Sequence, residues 1–285
     1  MRIGLIGTQN SHSSAYGKAF NVDKRLPGAA ITLVWGETPE CARERAAESS
    51  IPTVVDDPSA MLGQIDALII DTRDGANHLA FAEPFLDSGI PIFIDKPLAT
   101  DPVKAAAFLD KAAACGARVA SHSMVPLQQS FHKFVTAQQA LAPLRYLGLS
   151  MPAALDSEYS GAFFYVVHAV ECLCTLLNRL PLRARIERFA GSNLATLDYP
   201  LGPLVTINLQ EGNYSYHIMA VGEQDTLAMR LDYDEDPYLT SIQLICDFFT
   251  GVAIPASHER LLMPVQILTA LEISKISGGW VEVCQ

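Results

Sequence analysis

Lys96 lies in Asp95-Lys96-Pro97, directly after the apolar run Ile92 to Ile94. A lysine held between a strand and a proline has little freedom, and at the carboxyl end of a parallel strand it faces the crevice where α/β sheets bind ligands. Its ammonium can hydrogen-bond a substrate hydroxyl or a developing alkoxide, with Asp95 holding it by charge. The competing reading is a surface ion pair of little worth. Further along, Gly161-Ala-Phe-Phe-Tyr-Val-Val-His168-Ala-Val-Glu171 sets an imidazole in an apolar stretch. A neutral imidazole is a competent proton acceptor near pH 7. A core histidine satisfied by Glu171 or by a backbone carbonyl is the alternative.

A third group lies in the first turn, Gly7-Thr8-Gln9-Asn10-Ser11-His12. A strand, a glycine and a helix in this order are where a dinucleotide-binding fold carries G-x-G-x-x-G, whose glycines allow a tight turn, close pyrophosphate approach and close helix packing. Only the first glycine is present. Gln9 puts a side chain where the backbone should approach the phosphates, and His12 puts an imidazole where the helix should pack. What remains are N–H groups at a helix start and the polar side chains of Thr8, Asn10, Ser11, Ser13 and Ser14, which either hold an anion or merely cap the helix. Glu37, after the second strand, stands where such folds hydrogen-bond a ribose hydroxyl and favours NAD over NADP; a solvated loop acid is the other reading. Thr72, after the fourth strand, and Asp95 complete the cofactor candidates.

The elements that must position these residues follow from periodicity. Up to about residue 120, short apolar runs alternate with helical stretches: strands Arg2 to Ile6, Ile31 to Trp35, Thr53 to Val55, Ala67 to Asp71, Ile92 to Ile94 and Arg118 to Ser121, and helices from about Ser13, Pro39 to Ser49, His78 to Ser88 and Pro102 to Cys115. This predicts a parallel sheet covered on both faces by crossover helices. After Pro126 the rhythm changes. A helix Leu127 to Ala140, a strand at Tyr146 to Leu149 and a helix Ala162 to Leu177 come first. Runs such as Val205 to Leu209 and Tyr216 to Val221 then predict an antiparallel sheet. Helices Tyr238 to Thr250 and Pro264 to Ser277 and a strand Trp280 to Val283 close the chain. The expected organisation is a Rossmann-like domain, 1–122, followed by an α+β domain with a largely antiparallel open sheet, 123–285.

Twenty Lys+Arg against 31 Asp+Glu give a net charge of -11, which repels nucleic acid and anionic membrane. With 49% apolar and 18% charged residues, the chain has material for a core and no signature of disorder. The stretch Ala162 to Leu177 carries His168 and Glu171 and is too short to cross a bilayer. Arg2 leads straight into a strand without a signal-peptide pattern, and six scattered cysteines without C-x-x-C predict reduced thiols and a cytoplasmic protein. No metal site is expected: His122, Glu158, His168 and His217 have none of the spacings that make zinc ligands readable. A hydrolase G-x-S-x-G is absent, and the acids of Asp232 to Asp236 lack the pattern of a calcium loop.

The run from His78 to Ala99, with its histidine at a helix start, Gly89 at the helix end and Asp95-Lys96-Pro97 after a strand, resembles the Gfo/Idh/MocA oxidoreductase family, which has Glu-Lys-Pro at that point. The order of elements is similar over most of the chain. The resemblance implies a Rossmann domain plus a substrate-carrying sheet domain, NAD or NADP as cofactor, and sugars, inositols or related polyols and ketones as substrates. It also implies a homodimer or homotetramer paired through the open sheet. Lys96 and His168 become the catalytic candidates. The family's helix carries an aspartate four residues before its histidine; Phe164 stands there instead, one helical turn away from the imidazole, where it could stack on a sugar face. Tyr165, Glu171 and His122 join Phe164 as substrate candidates. The altered turn and Phe164 support an alternative: a cofactor-free family member acting as a lyase or isomerase, or as a sugar-binding or regulatory module.

Overall fold

The computed structural model describes residues 1–284 and divides into two compact units. The first comprises Met1–Ala99, Val103–His122 and Tyr238–Leu261; the second comprises Thr100–Pro102, Ser123–Pro237 and 262–284. Relative to the expected division at residue 122, the segment Tyr238–Leu261 groups with the first unit and Thr100–Pro102 with the second.

Six parallel strands make the sheet of the first unit: β1 (Arg2–Ile6), β2 (Ala30–Trp35), β3 (Thr53–Val54), β4 (Ala67–Ile70), β5 (Ile92–Ile94) and β6 (Val119–Ala120), in the order β3-β2-β1-β4-β5-β6. Their near-continuous apolar runs suit a sheet covered on both faces, and every residue of β4 and β5 is buried. The crossovers carry α1 (Ser11–Gly17), α2 (Pro39–Glu48), α3 (His78–Ala82) and α4 (Pro102–Ala114). Thr38 starts α2 by accepting the Cys41 N–H at 3.2 Å, with Pro39 in the first turn. α1 passes into a π-helical turn, Lys18–Val22, and α3 into a 3-10 turn, Glu83–Ser88, ended by Gly89 in the left-handed conformation.

One core cluster explains why the late segment joins this unit. Ile3, Leu5, Ile31, Val34, Ile69 and Phe93 from the sheet pack with Tyr16 and Phe20, and with Ile242, Ile245, Phe248 and Phe249 from the helix Leu239–Thr250. Each large apolar side chain so buried is worth roughly 1.5–3 kcal/mol. Arg118 adds a hydrogen bond to the Phe248 carbonyl at 2.9 Å.

The strand order reverses between β1 and β4, and a ligand crevice belongs at the carboxyl ends of strands at such a switch. The ladder continues one residue beyond the strands: Gly7 N–H donates to Trp35 at 2.9 Å, Asp71 N–H to Ile6 at 2.7 Å and Asp95 N–H to Ile70 at 2.8 Å. Three strands thus deliver Gly7-Thr8, Asp71-Thr72 and Asp95-Lys96 to one edge. Gly7 has φ +104°, and a Cβ there would stand 2.3 Å from the Thr72 nitrogen. Only glycine fits this turn.

In the second unit, β7 (Tyr146–Pro152), β8 (Arg183–Phe189), β9 (Ser192–Asp198), β10 (Leu204–Gln210), β11 (His217–Val221), β12 (Thr226–Arg230) and β13 (Val281–Glu282) form a sheet of order β12-β11-β7-β10-β9-β8-β13. All neighbours are antiparallel except β7 and β10. Alternation assigns its faces: Val205, Ile207 and Leu209 are buried, while Thr206, Asn208 and Gln210 point the other way. On that second face Tyr146, Ser150, Thr206, Asn208, His217 and Arg230 help line a shallow groove of about 450 Å³. The helices α5 (Gln129–Gln138) and α6 (Val166–Leu177) belong to this unit. Among the described residues, no helix is long and apolar enough to cross a membrane.

Candidate active site

At the carboxyl edge of the parallel sheet, six polar side chains are buried: Thr8, His12, Asp71, Thr72, Asp95 and Lys96. Asp95 is the hub. Its Oδ1 faces His12 Nδ1 at 3.0 Å and accepts the Tyr16 hydroxyl at 2.9 Å, and its Oδ2 accepts Asn10 Nδ2 at 3.4 Å. Asn10 Nδ2 also donates to Asp71 Oδ1 at 2.7 Å. The His12 ring is held edge-on against Tyr16 and Tyr238, at centroid distances of 6.4 and 5.2 Å.

Two carboxyl groups buried this close titrate apart. Burial, reinforced by the charge of Asp95, pushes Asp71 well above the usual carboxylate range, against the pull of Lys96 and the Asn10 hydrogen bond. Burial acts on Asp95 in the same sense. There the charge and hydrogen bond of His12, with Lys96 and His78, outweigh it and hold Asp95 below that range. Tyr16, pushed well up by burial first and then by Asp95, stays a phenol and a donor. Lys96, 8% exposed, directly follows this carboxylate in sequence, and its charge helps to keep Asp95 ionised. Its peptide bond to Pro97 is cis, and Gly75 leaves room for that proline, since a Cβ there would lie 2.5 Å from Pro97 Cγ.

His78 ties this edge together. Its two ring nitrogens face the carbonyls of Pro97 at 2.7 Å and Thr72 at 2.9 Å, which gives the helix-opening histidine a positioning role. Burial lowers its pKa despite both acceptors.

Glu37 folds its carboxylate into the first turn. Its Oε2 accepts the backbone N–H groups of Thr8 at 2.8 Å and Gln9 at 3.2 Å and faces the Thr8 hydroxyl at 3.4 Å, while Oε1 accepts the Arg73 N–H at 3.3 Å. The first turn is therefore an anion cradle, with N–H donors converging on one oxygen as they would on a phosphate oxygen, and the anion in it belongs to the chain. Gln9 is half-buried and Ser11 exposed beside it. A dinucleotide fits these donors in kind once Glu37 turns out of them.

His122, read as a substrate contact, is at the end of the first unit. Its Nε2 faces Ser241 Oγ at 2.8 Å and its ring packs on Phe93 at 4.9 Å. Burial pulls its pKa down to about 4, which keeps the imidazole neutral near pH 7.

In the second unit His168, 7% exposed, is held through Nδ1 by Ser123 Oγ at 2.8 Å, and Ser123 Oγ accepts the Val125 N–H at 3.2 Å. The partner at Nδ1 is a serine, and Glu171 is also buried on the same helix. Phe164 differs from its expected place one turn below His168, because α6 begins only at Val166, after the 3-10 turn Gly161–Phe163. Its ring meets Tyr159 at 5.2 Å and Tyr165 at 4.8 Å, and it is Tyr165 whose ring faces His168, at 6.3 Å. Asp71, Tyr16 and Ser123 are the site residues that sequence reasoning missed. For Asp71 a signal existed, an acid ending an otherwise apolar buried strand.

Residues 1–123 match the family model described as "Oxidoreductase family, NAD-binding Rossmann fold", GFO_IDH_MocA. The match covers the N-terminal 123 residues, less than half of the chain. Solved structures of similar fold include myo-inositol dehydrogenase from Lactobacillus casei in complex with NAD(H) and myo-inositol, at 17% identity and TM-score 0.84, covering 100% of this chain and 97% of that one. The WlbA dehydrogenase from Bordetella pertussis in complex with NADH and UDP-GlcNAcA is 16% identical with TM-score 0.81, over 100% and 99%. A myo-inositol 2-dehydrogenase from Lactobacillus plantarum is 13% identical with TM-score 0.84, over 100% and 99%. No curated protein matches the chain. At these identities the likeness is one of fold: a six-stranded parallel Rossmann-type unit and a second unit built on a mostly antiparallel sheet.

Proposed function

We propose that this protein is an NAD-dependent oxidoreductase of a sugar, inositol or related polyol or ketone. The observation that carries the reading is Asp95-Lys96-Pro97 at the end of β5, a buried lysine directly after an ionised carboxylate at the switch edge of a Rossmann unit that matches an NAD-binding family model. NAD, when bound, supplies the hydride acceptor or donor. The N–H groups of Thr8 and Gln9 would take the pyrophosphate, Glu37 the adenosine ribose, and Thr72 and Asn10 polar contacts along the edge. Lys96 would stabilise the developing alkoxide, and His168, oriented by Ser123, would exchange the hydroxyl proton through Nε2. The fold relatives bound to myo-inositol and UDP-GlcNAcA support the substrate class.

Calorimetric titration with NAD+, NADH, NADP+ and NADPH, followed by turnover of sugars and inositols, tests this. Micromolar binding of NAD+ or NADH, about -8 kcal/mol, and turnover lost in both Lys96→Ala and His168→Ala with the fold intact are expected. No binding at millimolar cofactor would reject it.

A second reading rests on Glu37 filling the turn. With its own anion in the cradle and Gln9 beside it, the chain would work without a dinucleotide, as a lyase, an isomerase or a sugar-binding module. The same titration decides between the two. In either case we infer a cytoplasmic homodimer or homotetramer paired through the open sheet, to be checked by sedimentation equilibrium.

A further inference from the structure

We propose that His12, Asp71 and Asp95 form a binding site for one first-row divalent metal ion at the carboxyl edge of the parallel sheet. The three residues come from the start of α1 and the ends of β4 and β5. One donor atom from each lies within 4.8 Å of the other two, and all three residues are buried. Ions of this class hold nitrogen and oxygen ligands at about 2.0–2.2 Å, which sets donors about 3.0–3.4 Å apart in tetrahedral or octahedral geometry. His12 Nδ1 and Asp95 Oδ1, at 3.0 Å, already have that separation. Asp71 has only to close on them.

An independent observation points to a missing ligand. Asp71 Oδ2 is buried and has no hydrogen-bond partner, while Oδ1 of the same carboxyl group takes Asn10. Native structures rarely leave a carboxylate oxygen orphaned in the interior. The charges agree: Asp95 and Glu37 both bear on Asp71, and Lys96 is the cation set against them. Asp71 and Asp95 are buried together, and buried carboxylates persist ionised when they are paired or coordinate a metal.

The surroundings supply what a metal site needs beyond its ligands. Tyr16 donates to Asp95, and two aromatic rings fix the His12 imidazole. Asn10 holds an N–H donor between the two carboxylates, and rotation of its amide would present Oδ1 to an ion as a fourth ligand. One imidazole and two carboxylates suit Mn2+ or Zn2+ better than Mg2+ or Ca2+, which favour oxygen alone. This inference is independent of whether a dinucleotide binds.

The test uses the full chain, stripped with chelator and titrated with Mn2+ alone by calorimetry and electron paramagnetic resonance, and with Zn2+ in a separate series. Mn2+ guards against binding by the six thiols, which favour softer ions. One ion per chain is expected, with a rise in the thermal midpoint. Asp71→Asn, nearly isosteric, and His12→Gln should each weaken Mn2+ binding by at least about tenfold, the low end of what loss of a supporting partner typically does. Asp56→Asn, an exposed carboxylate elsewhere, should leave it unchanged. Absence of binding at millimolar Mn2+ would overturn the proposal and leave a proton as the neutraliser of the pair. Equal affinity in wild type and in whichever of the two site variants folds would overturn it as well, by placing the ion elsewhere.

Discussion

Glu37 is placed where two roles compete. Its carboxylate already satisfies the turn donors that a pyrophosphate would use, and it would also repel a 2′-phosphate. Glu37→Ala is therefore expected to raise the affinity for NADP+ relative to NAD+ by about tenfold, or 1.4 kcal/mol, measured by calorimetry; an unchanged ratio would mean that Glu37 never meets the adenosine end. His122 gives a pH effect of defined sign. Its folded pKa of about 4 lies below the ordinary 6.5 because burial disfavours the imidazolium. The unfolded chain thus takes up the proton first, and the stability contribution is complete above pH 6.5 and is lost as pH falls toward 4. In urea titrations across that range, His122→Gln should show a shallower decline than the wild type. Lys96 and Asp95 are legible in the sequence because their motif is contiguous. Asp71 is marked in sequence only as an acid ending an apolar strand and Ser123 not at all, because their partners Asn10 and His168 lie 61 and 45 residues away.

Among elements, the strands of the first unit are readable almost to the residue, since short apolar runs bounded by turn signals have few other solutions in a sheet covered on both faces. The helices are less so. α6 begins later than its apolar run because Gly161 and Ser160 are left-handed, and the resulting 3-10 turn re-aims Phe164 and Tyr165. Gly7 offers the sharpest test at this scale. Its φ is positive, and a methyl group would meet the Asp71 to Thr72 peptide at 2.3 to 2.4 Å, so Gly7→Ala must force β1 and β4 apart. A loss of at least about 2 kcal/mol is expected, read as a lower urea midpoint; a midpoint within error of wild type would show that the turn can relax.

For the whole molecule, the fold class follows from the order of runs, but the membership of residues 238–261 does not. The apolar side of Leu239–Thr250 is visible in sequence; the sheet on which it packs is not, because either unit offers one. A fragment of residues 1–122 is accordingly expected to aggregate or remain unfolded, and to gain a cooperative transition when the 238–261 segment is fused to it. A cooperatively folded 1–122 fragment would contradict the part assigned to Ile242, Ile245, Phe248 and Phe249.

That returning helix also imposes an order on synthesis. After His122 leaves the ribosome, the residues Ser123–Pro237 must be made before the helix that completes the first core emerges, roughly 6 to 23 seconds at usual elongation rates of about 5–20 residues per second. During that interval Phe20, Phe93 and their neighbours lack part of their cover. Slow codons within 123–237 would lengthen that exposure.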